Sequence, residues 1–274
     1  MFREYFTLFL LAHVLGDFYI QTDKIAKKKE KSMKWVLIHG MCYQGVMLLI
    51  SLPIMSWEIV LGGTIAAILH SFIDIVKYIY ISYKIKRKKM TQIVERNVFF
   101  IDQLLHTVCL IGIAYWFVRN NVRLNVAYII EDFFNVVEIS KVQAMTYLLA
   151  VLVIHKPVNI AISKLLMIYK PENKDEDEKH DNNAGRIHIL QIYKPQNKID
   201  MKHDNNVGRF IGTVERIIML IFLSIGQYSA IGLVLTAKSI ARYDRISKEK
   251  DFAEYYLLGT LLSTVMVIVV SLIL

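Results

Sequence analysis

Cysteine, proline and glycine are all scarce in this chain of 274 residues. Its two cysteines, Cys42 and Cys109, are too few for a disulfide-linked scaffold or a cysteine-rich zinc module. Four prolines and twelve glycines exclude a collagen-like or low-complexity chain. Charged residues make up only 21% of the chain, whereas 55% are hydrophobic and the mean hydropathy is +0.39. This composition predicts a membrane protein.

Long apolar stretches recur along the chain, and a bilayer-spanning helix needs about 20 mostly apolar residues. The first stretch, 2–20, contains His13 and Asp17 and has no small-residue cleavage site, which favours a retained helix over a signal peptide. A further stretch, 210–237, is apolar but interrupted near Gly226. The other stretches are 35–55, 57–81, 98–118, 142–168 and 252–274. The sequence therefore predicts an all-α polytopic membrane helix bundle with about six to seven membrane segments.

Basic residues are concentrated in alternate connections between these stretches. The connection near Pro53 has no lysine or arginine. The first and third connections are filled by Lys24, Lys27, Lys28, Lys29, Lys31 and Lys34, and by Lys84, Lys86, Arg87, Lys88, Lys89 and Arg96. By the positive-inside rule, this predicts an N-terminus outside the membrane and lysine-rich loops in the cytoplasm. The net charge of +9 then needs no nucleic acid as a partner, and anionic lipid headgroups are the expected contacts.

The C-terminal half divides into a linker and a second membrane part. We expect a four-helix transmembrane unit at 1–118, a connecting loop and fifth helix at 119–168, a polar cytoplasmic linker at 169–208 and a C-terminal membrane unit at 209–274. Basic residues after Ala237 suit the cytoplasm, so 210–237 is either a re-entrant hairpin bent near Gly226 or a single span. Lys156-Pro157 predicts a kink in the fifth helix after His155.

The linker contains a tandem repeat. Its first motif starts at Ile168 and recurs from Ile192, and its second starts at His180 and recurs from His203. Two copies are too few for a solenoid, and the charged, apolar-poor composition predicts a mobile loop.

Histidine and aspartate pairs lie inside the predicted membrane helices, where ionisable groups are costly and indicate function. Each pair is spaced four residues apart, so both side chains lie on one helical face. The first and third helices place histidine before aspartate, whereas the fourth, which runs the other way, reverses the order. We therefore expect one cluster near the cytoplasmic ends, made of His13, Asp17, His39, His70, Asp74, Asp102 and His106.

Imidazole and carboxylate groups are the ligands of Zn, Mn and Fe, which predicts a divalent metal ion as cofactor. The predicted ligands are His13, His70, His106, Asp74 and Asp102. The predicted catalytic or orienting groups are Asp17, Asp74, Asp102 and His39. Lys77, Arg209 and Lys238 would bind a phosphate. This pattern favours a metal-dependent hydrolase that acts near the cytoplasmic leaflet on a lipid-linked or phosphate-headgroup substrate.

Two other interpretations remain open for the same residues. Histidine and aspartate side chains also join membrane helices by hydrogen bonds, as in a non-catalytic scaffold. They also form the pathway of proton- or ion-coupled carriers, which a broken helix at 210–237 would suit. The polar residues crowd one end of the helices, whereas a carrier places its site at the midplane, which favours the hydrolase.

The three boxes also resemble a bacterial polytopic membrane family defined only as a domain of unknown function. The resemblance covers about residues 5–118 and is carried by His13 to Asp23, by His70 to Lys77 and by Asp102 to His106. The C-terminal run from Gly208 to Thr260 resembles longer members of that family. It implies a multi-pass protein of a bacterial inner membrane and no particular chemistry. In residue type alone, the layout is similar to predicted membrane-bound metal-dependent hydrolases.

Overall fold

The structure is a computed structural model that describes residues 1–54, 56–122, 124, 126–170 and 200–272. These ranges are mainly helical and contain no β-strand, which confirms the all-α prediction. They form two compact units: an N-terminal unit of Met1–Leu165 with Val269–Leu274, and a C-terminal unit of Leu166–Ile268.

The N-terminal unit is built from the first eight α-helices of the described residues. In chain order they are α1 (Phe2–Val14), α2 (Asp23–Lys29), α3 (Met33–Ser51), α4 (Trp57–Lys86), α5 (Gln92–Arg119), α6 (Tyr128–Val137), α7 (Lys141–His155) and α8 (Pro157–Leu166). A π-helical turn, Leu15–Ile20, continues α1. The C-terminal unit contains α9 (Asp200–Ser224), α10 (Tyr228–Ala241), α11 (Tyr243–Lys248) and most of α12 (Lys250–Ser271).

Five described segments are long and apolar enough to cross a membrane, and each was predicted: Met33–Ser51, Trp57–Lys86, Gln92–Arg119, Lys141–Tyr169 and Lys250–Ser271. They indicate a lipid bilayer environment. Lys141–Tyr169 breaks at Lys156, where the predicted kink lies. The first predicted segment is helical throughout but changes from α to π geometry at Leu15. This change matters for the site, because π turns redirect the side chains that follow them.

Hydroxyl side chains fix where the helices of the N-terminal unit begin. Oγ of Ser56 accepts from the backbone N–H of Ile59, at 3.3 Å, and starts α4. Oγ1 of Thr91 accepts from the N–H of Val94, at 3.2 Å, and starts α5. Each cap satisfies an N–H group that would otherwise lack a partner within the helix. Ser56 and Thr91 therefore fix the starting positions of α4, which carries His70, and of α5, which carries Asp102.

Small residues let α4 approach its neighbours closely. A Cβ atom on Gly62 would lie 2.5 Å from the ring of Phe117, which is fully buried in α5. Phe117 also contacts Phe9 of α1 and Tyr5, at centroid distances of 5.6 and 5.3 Å. This aromatic core holds α1, α4 and α5 together and leaves their other ends to carry polar groups.

Helix α7 packs against α1, so the fifth predicted helix belongs to the same unit as the first four. Leu149 of α7 is buried together with Leu11 and Val14 of α1. The N-terminal unit therefore includes α7 beside the four helices of the first predicted unit.

The stretch 210–237 is a helical hairpin rather than one continuous helix. Gly226 joins α9 and α10 with a φ of +72°, a conformation that favours glycine. Nζ of Lys238 in α10 lies 2.6 Å from Oε2 of Glu215 in α9. Residues 171–199, which make up most of the predicted linker at 169–208 and of its repeat, lie outside the described residues. Helix α9 begins inside the predicted linker, at Asp200.

Candidate functional site

The seven predicted histidines and aspartates lie together in the interior of the N-terminal unit. None of them is more than 8% exposed. They come from α1 and its π turn, from α3, from α4 and from α5, in the order His13, Asp17, His39, His70, Asp74, Asp102 and His106. We refer to these seven residues as the His/Asp cluster. The helical periodicity of the sequence thus identified residues that meet in space, while their chemical roles stay predictions.

His13 and Asp17 are joined through a glutamine of α5. Nε2 of Gln103 donates to Oδ2 of Asp17, at 2.9 Å. Oε1 of Gln103 lies 3.4 Å from Nε2 of His13, and the hydroxyl of Tyr43 lies 3.1 Å from Nδ1 of the same ring. Both ring nitrogens of His13 are therefore engaged, so a ligand role for His13 requires one of these contacts to open.

His39 and His70 meet between two carboxylates. Their Nε2 atoms are 3.1 Å apart. Nε2 of His39 lies 3.2 Å from Oδ1 of Asp17, and Nε2 of His70 lies 3.4 Å from Oδ2 of Asp74. His39 therefore lies at the level of these two aspartates. Two imidazoles and two carboxylates thus converge on a space of a few ångströms.

Rings stack in a row through the centre of the cluster. Tyr43 lies parallel to His70, with centroids 3.8 Å apart and an interplanar angle of 3°. On its other side, His70 stacks on His106, at 4.2 Å and 28°. Gly16 makes room for this row, because a Cβ atom there would lie 2.8 Å from the ring of Tyr43. The stacking fixes the planes of both histidines and therefore the directions of their ring nitrogens.

Two lysines enter the cluster and each pairs with one aspartate. Nζ of Lys29 lies 2.6 Å from Oδ2 of Asp74 and 4.0 Å from Oδ1 of Asp17. Nζ of Lys77 lies 2.6 Å from Oδ2 of Asp102. Lys77 was predicted to bind substrate, and its contact gives it a second role in orienting a carboxylate. In each pair, the lysine contacts one carboxylate oxygen of its aspartate, Oδ2, and leaves the other oxygen, Oδ1, without a lysine contact.

Sequence reasoning missed Lys29, Tyr43 and Gln103. Lys29 stood among six basic residues of one connection, all assigned to topology. Tyr43 follows His39 by four residues, the same spacing as the other pairs, and this signal could have identified it. Gln103 is adjacent to Asp102, but its contact across helices has no sequence signal.

Within the described residues, several buried polar atoms of the cluster have no hydrogen-bond partner. They are Nδ1 of His70, Oδ1 of Asp74, Oδ1 of Asp102, and both ring nitrogens of His106. A buried polar atom left unpaired costs about 1–3 kcal/mol. Concentration of such atoms in one place indicates a bound ion or water rather than a finished hydrogen-bond network.

Three overlapping groups in the cluster could hold a metal ion. Each offers ligand atoms within 4.8 Å of one another: His13 with Asp17 and His106, Asp17 with His39 and His70, and His70 with Asp74 and His106. The predicted ligand Asp102 is not in these groups, although it lies beside Gln103 and Lys77. Asp17, His70 and His106 each belong to two groups, so adjacent ion positions would share ligands.

The two other predicted phosphate-binding residues belong to the C-terminal unit. Arg209 is exposed, in the tenth position of α9. Lys238 is paired with Glu215, and its Nζ lies 5.5 Å from the ring centroid of Tyr256. Their proposed role in binding substrate therefore stays a prediction.

No curated protein and no solved structure matches the chain. Residues 5–137 match the model of a family described as a protein of unknown function, DUF3307. The match includes every residue of the His/Asp cluster together with Lys29, Tyr43, Lys77 and Gln103. The similarity to the DUF3307 family of proteins of unknown function is carried by residues 5–137, slightly less than half of the chain.

Proposed function

We propose that the N-terminal unit is a membrane-embedded, metal-dependent hydrolase that acts on a lipid-linked or phosphate-headgroup substrate. The carrying observation is the set of unpartnered buried atoms of His70, Asp74, Asp102 and His106, considered over the described residues. These atoms are nitrogen and carboxylate oxygen, the donors preferred by Zn, Mn and Fe. A divalent ion would satisfy several of them at once.

His70, Asp74 and His106 would form the principal ligand set, since their donor atoms lie within 4.8 Å of one another. Asp102 would add an oxygen from the same side as Lys77. A bound divalent ion supplies Lewis acidity that makes water nucleophilic at neutral pH and polarises a phosphoester. Tyr43 would hold the plane of His70, and Gln103 would hold His13 and Asp17 in place.

The charge of the cluster supports an anionic substrate. Asp17, Asp74 and Asp102 oppose Lys29 and Lys77, which leaves one net negative charge when the imidazoles are neutral. This balance attracts a cation to the empty donor atoms. Once a divalent ion is bound, the net charge becomes positive by one, which then favours an approaching phosphate.

The position of the site along the helices supports a headgroup substrate near the cytoplasmic leaflet of a bacterial inner membrane. Asp74 contacts Lys29, which belongs to the first lysine-rich connection. The lysine-rich connections are expected in the cytoplasm by the positive-inside rule. The cluster would thus lie at the depth of the inner-leaflet headgroups, with Lys77 towards the same end of the helices.

The lysine pairs also favour a second candidate, a proton- or ion-coupled carrier. Lys29 and Lys77 already supply a positive charge to Asp74 and Asp102. Such pairs inside membrane helices mark proton and ion pathways as well as metal sites. In that case a transported ion would compete with the two lysines for the carboxylates of Asp74 and Asp102. No covalent bond of a substrate would break.

A hydrolysis assay tests the proposal. The full chain in nanodiscs would be supplied with Zn, Mn or Fe and with lipids that carry a terminal phosphate monoester or a pyrophosphate. Release of phosphate that is lost in His106→Ala but retained in His155→Ala supports the hydrolase, because His155 lies outside the cluster and contacts Tyr19. Ion uptake by proteoliposomes without phosphate release from these lipids would contradict it and favour the carrier.

A further inference from the structure

Helix α6 separates its side chains into two faces. At 100° per residue, Ile129, Ile130, Phe133, Phe134, Val136 and Val137 lie on one arc. Glu131, Asp132 and Asn135 lie on the opposite arc. None of its ten residues is buried, and Ile129, Val136 and Phe133 are 81%, 75% and 59% exposed. The helix thus presents an apolar face that the described part of the chain leaves uncovered.

The position of α6 fixes its depth relative to the bilayer. It follows α5 and precedes α7, which both belong to membrane-spanning segments. Ten residues of helix extend only about 15 Å, half the thickness of a hydrocarbon core. The backbone N–H of Ala127 donates to the carbonyl of Pro53, at 2.8 Å, in the connection between α3 and α4. Ala127, directly before α6, is therefore held at a surface of the membrane.

Exposed aromatic residues mark the same level on neighbouring helices. Trp57 stands at the start of α4, Tyr115 and Trp116 near the end of α5, and Tyr128 at the start of α6. All four are exposed, and each lies within five residues of the helix end that it marks. Tryptophan and tyrosine are enriched where the bilayer meets water, so this belt places α6 at an interface.

We infer that α6 lies flat in the bilayer interface, with its apolar face among the lipid chains. The occupant of this face is phospholipid, because both flanking helices lead into the bilayer. The ion pair of Glu131 with Lys141, at 3.0 Å, anchors the polar face towards the start of α7. The interface is the one at the Pro53 end of the helices, opposite the lysine-rich connections. The inference does not depend on the proposed hydrolase activity.

Site-directed spin labelling in phospholipid nanodiscs tests this inference. Cys42 and Cys109 would first be replaced by alanine. Single cysteines would then be introduced as Phe133→Cys and Val136→Cys on the apolar face and as Asp132→Cys on the polar face. Collision with oxygen, which dissolves in lipid, would be compared with collision with a water-soluble nickel chelate. Asp132→Cys is the matched control, because it lies in the same turn of the same helix as Phe133→Cys.

The expected result is a ratio of oxygen to chelate accessibility several-fold higher at 133 and 136 than at 132. Equal access of the chelate to all three positions would overturn the inference, because α6 would then lie in water. Exclusion of both reagents from 133 and 136 would also overturn it, because protein would then cover the face. The two apolar positions guard against failure of a single variant to fold.

Discussion

Nζ of Lys29 lies 2.6 Å from Oδ2 of Asp74, although Lys29 ends the short helix α2 and Asp74 lies well inside α4. Both side chains are buried. A carboxylate at this depth without its ammonium partner would be an uncompensated charge. The connection before α3 is therefore part of the site and does more than set the topology.

Replacement of Lys29 by methionine should lower the free energy of unfolding of the N-terminal unit in metal-free buffer. Loss of one partner from a buried pair costs about 3–5 kcal/mol. Thermal unfolding in detergent would measure the change. The double variant Lys29→Met with Asp74→Asn should recover much of this loss, because it removes both charges together.

The control for that experiment is Lys34→Met, which removes an exposed lysine near the start of α3. Its midpoint should match that of the parent. If Lys29→Met were as stable as Lys34→Met, the pair with Asp74 would contribute nothing, and the assignment of Lys29 to the site would be wrong.

Gln103→Ala should weaken metal binding without unfolding the protein. Gln103 holds Asp17 by a bond of 2.9 Å and contacts His13, so its loss would free both groups. Removal of a residue that orients metal ligands reduces affinity by about 10- to 100-fold. Titration with a competing chelator would measure the change. Gln44→Ala is the control, since Gln44 bonds to Thr64 away from the cluster, and an equal affinity in both variants would contradict this role.

The sequence was sufficient to predict the long apolar helices and the seven members of the His/Asp cluster, but not the shorter helices α2, α6 and α11. Apolar length predicts the spans, and the spacing of four residues places each histidine and aspartate on one face. The reversed order of Asp102 and His106 in α5 then predicts a common level. Apolar length, residue spacing and residue order are properties of single helices, so they can be read directly from the sequence.

The rest depends on contacts between elements that are far apart in the chain. Lys29 reaches Asp74 only because α2 folds back under the bundle, which basic composition does not reveal. Gln103 meets Asp17 across 86 positions. Leu149 of α7 packs with Leu11 and Val14 of α1, and no spacing within α7 indicates this partner. Tertiary packing selects such contacts among many that the sequence allows.

Gly62→Ala should destabilise the N-terminal unit. The new Cβ would lie 2.5 Å from the ring of Phe117, which has no room to move in the aromatic core. Overpacking of this kind costs about 1–3 kcal/mol. Thermal unfolding would show the loss, and Phe117→Leu in the same chain should restore part of it.

Gly112→Ala provides the comparison, because a Cβ there has no atom within 4 Å. Its free energy of unfolding should change by less than about 1 kcal/mol. A loss at Gly112 equal to that at Gly62 would show that the close approach of α4 and α5 is not the cause.

Lys238→Met should destabilise the C-terminal unit, whereas Lys248→Met should not. Both lysines lie 2.6 Å from a carboxylate, Glu215 and Asp244 respectively. The first pair is largely buried, with side-chain exposures of 19% and 14%, and the second is exposed, with 70% and 84%. An exposed pair contributes about 0.5 kcal/mol or less. Limited proteolysis of the α9–α10 hairpin would compare the variants, and equal protection would contradict the assigned difference.

Metal content tests the central claim most directly. The protein, purified in detergent and exposed to Zn, Mn or Fe, would be analysed by mass spectrometry beside His106→Ala, Asp74→Ala and the control His155→Ala. The account predicts a stoichiometric ion in the parent and in His155→Ala, and its loss from the two cluster variants while they remain folded. An absence of bound metal from the folded parent with every added ion, or equal metal in all four proteins, would contradict the metal centre.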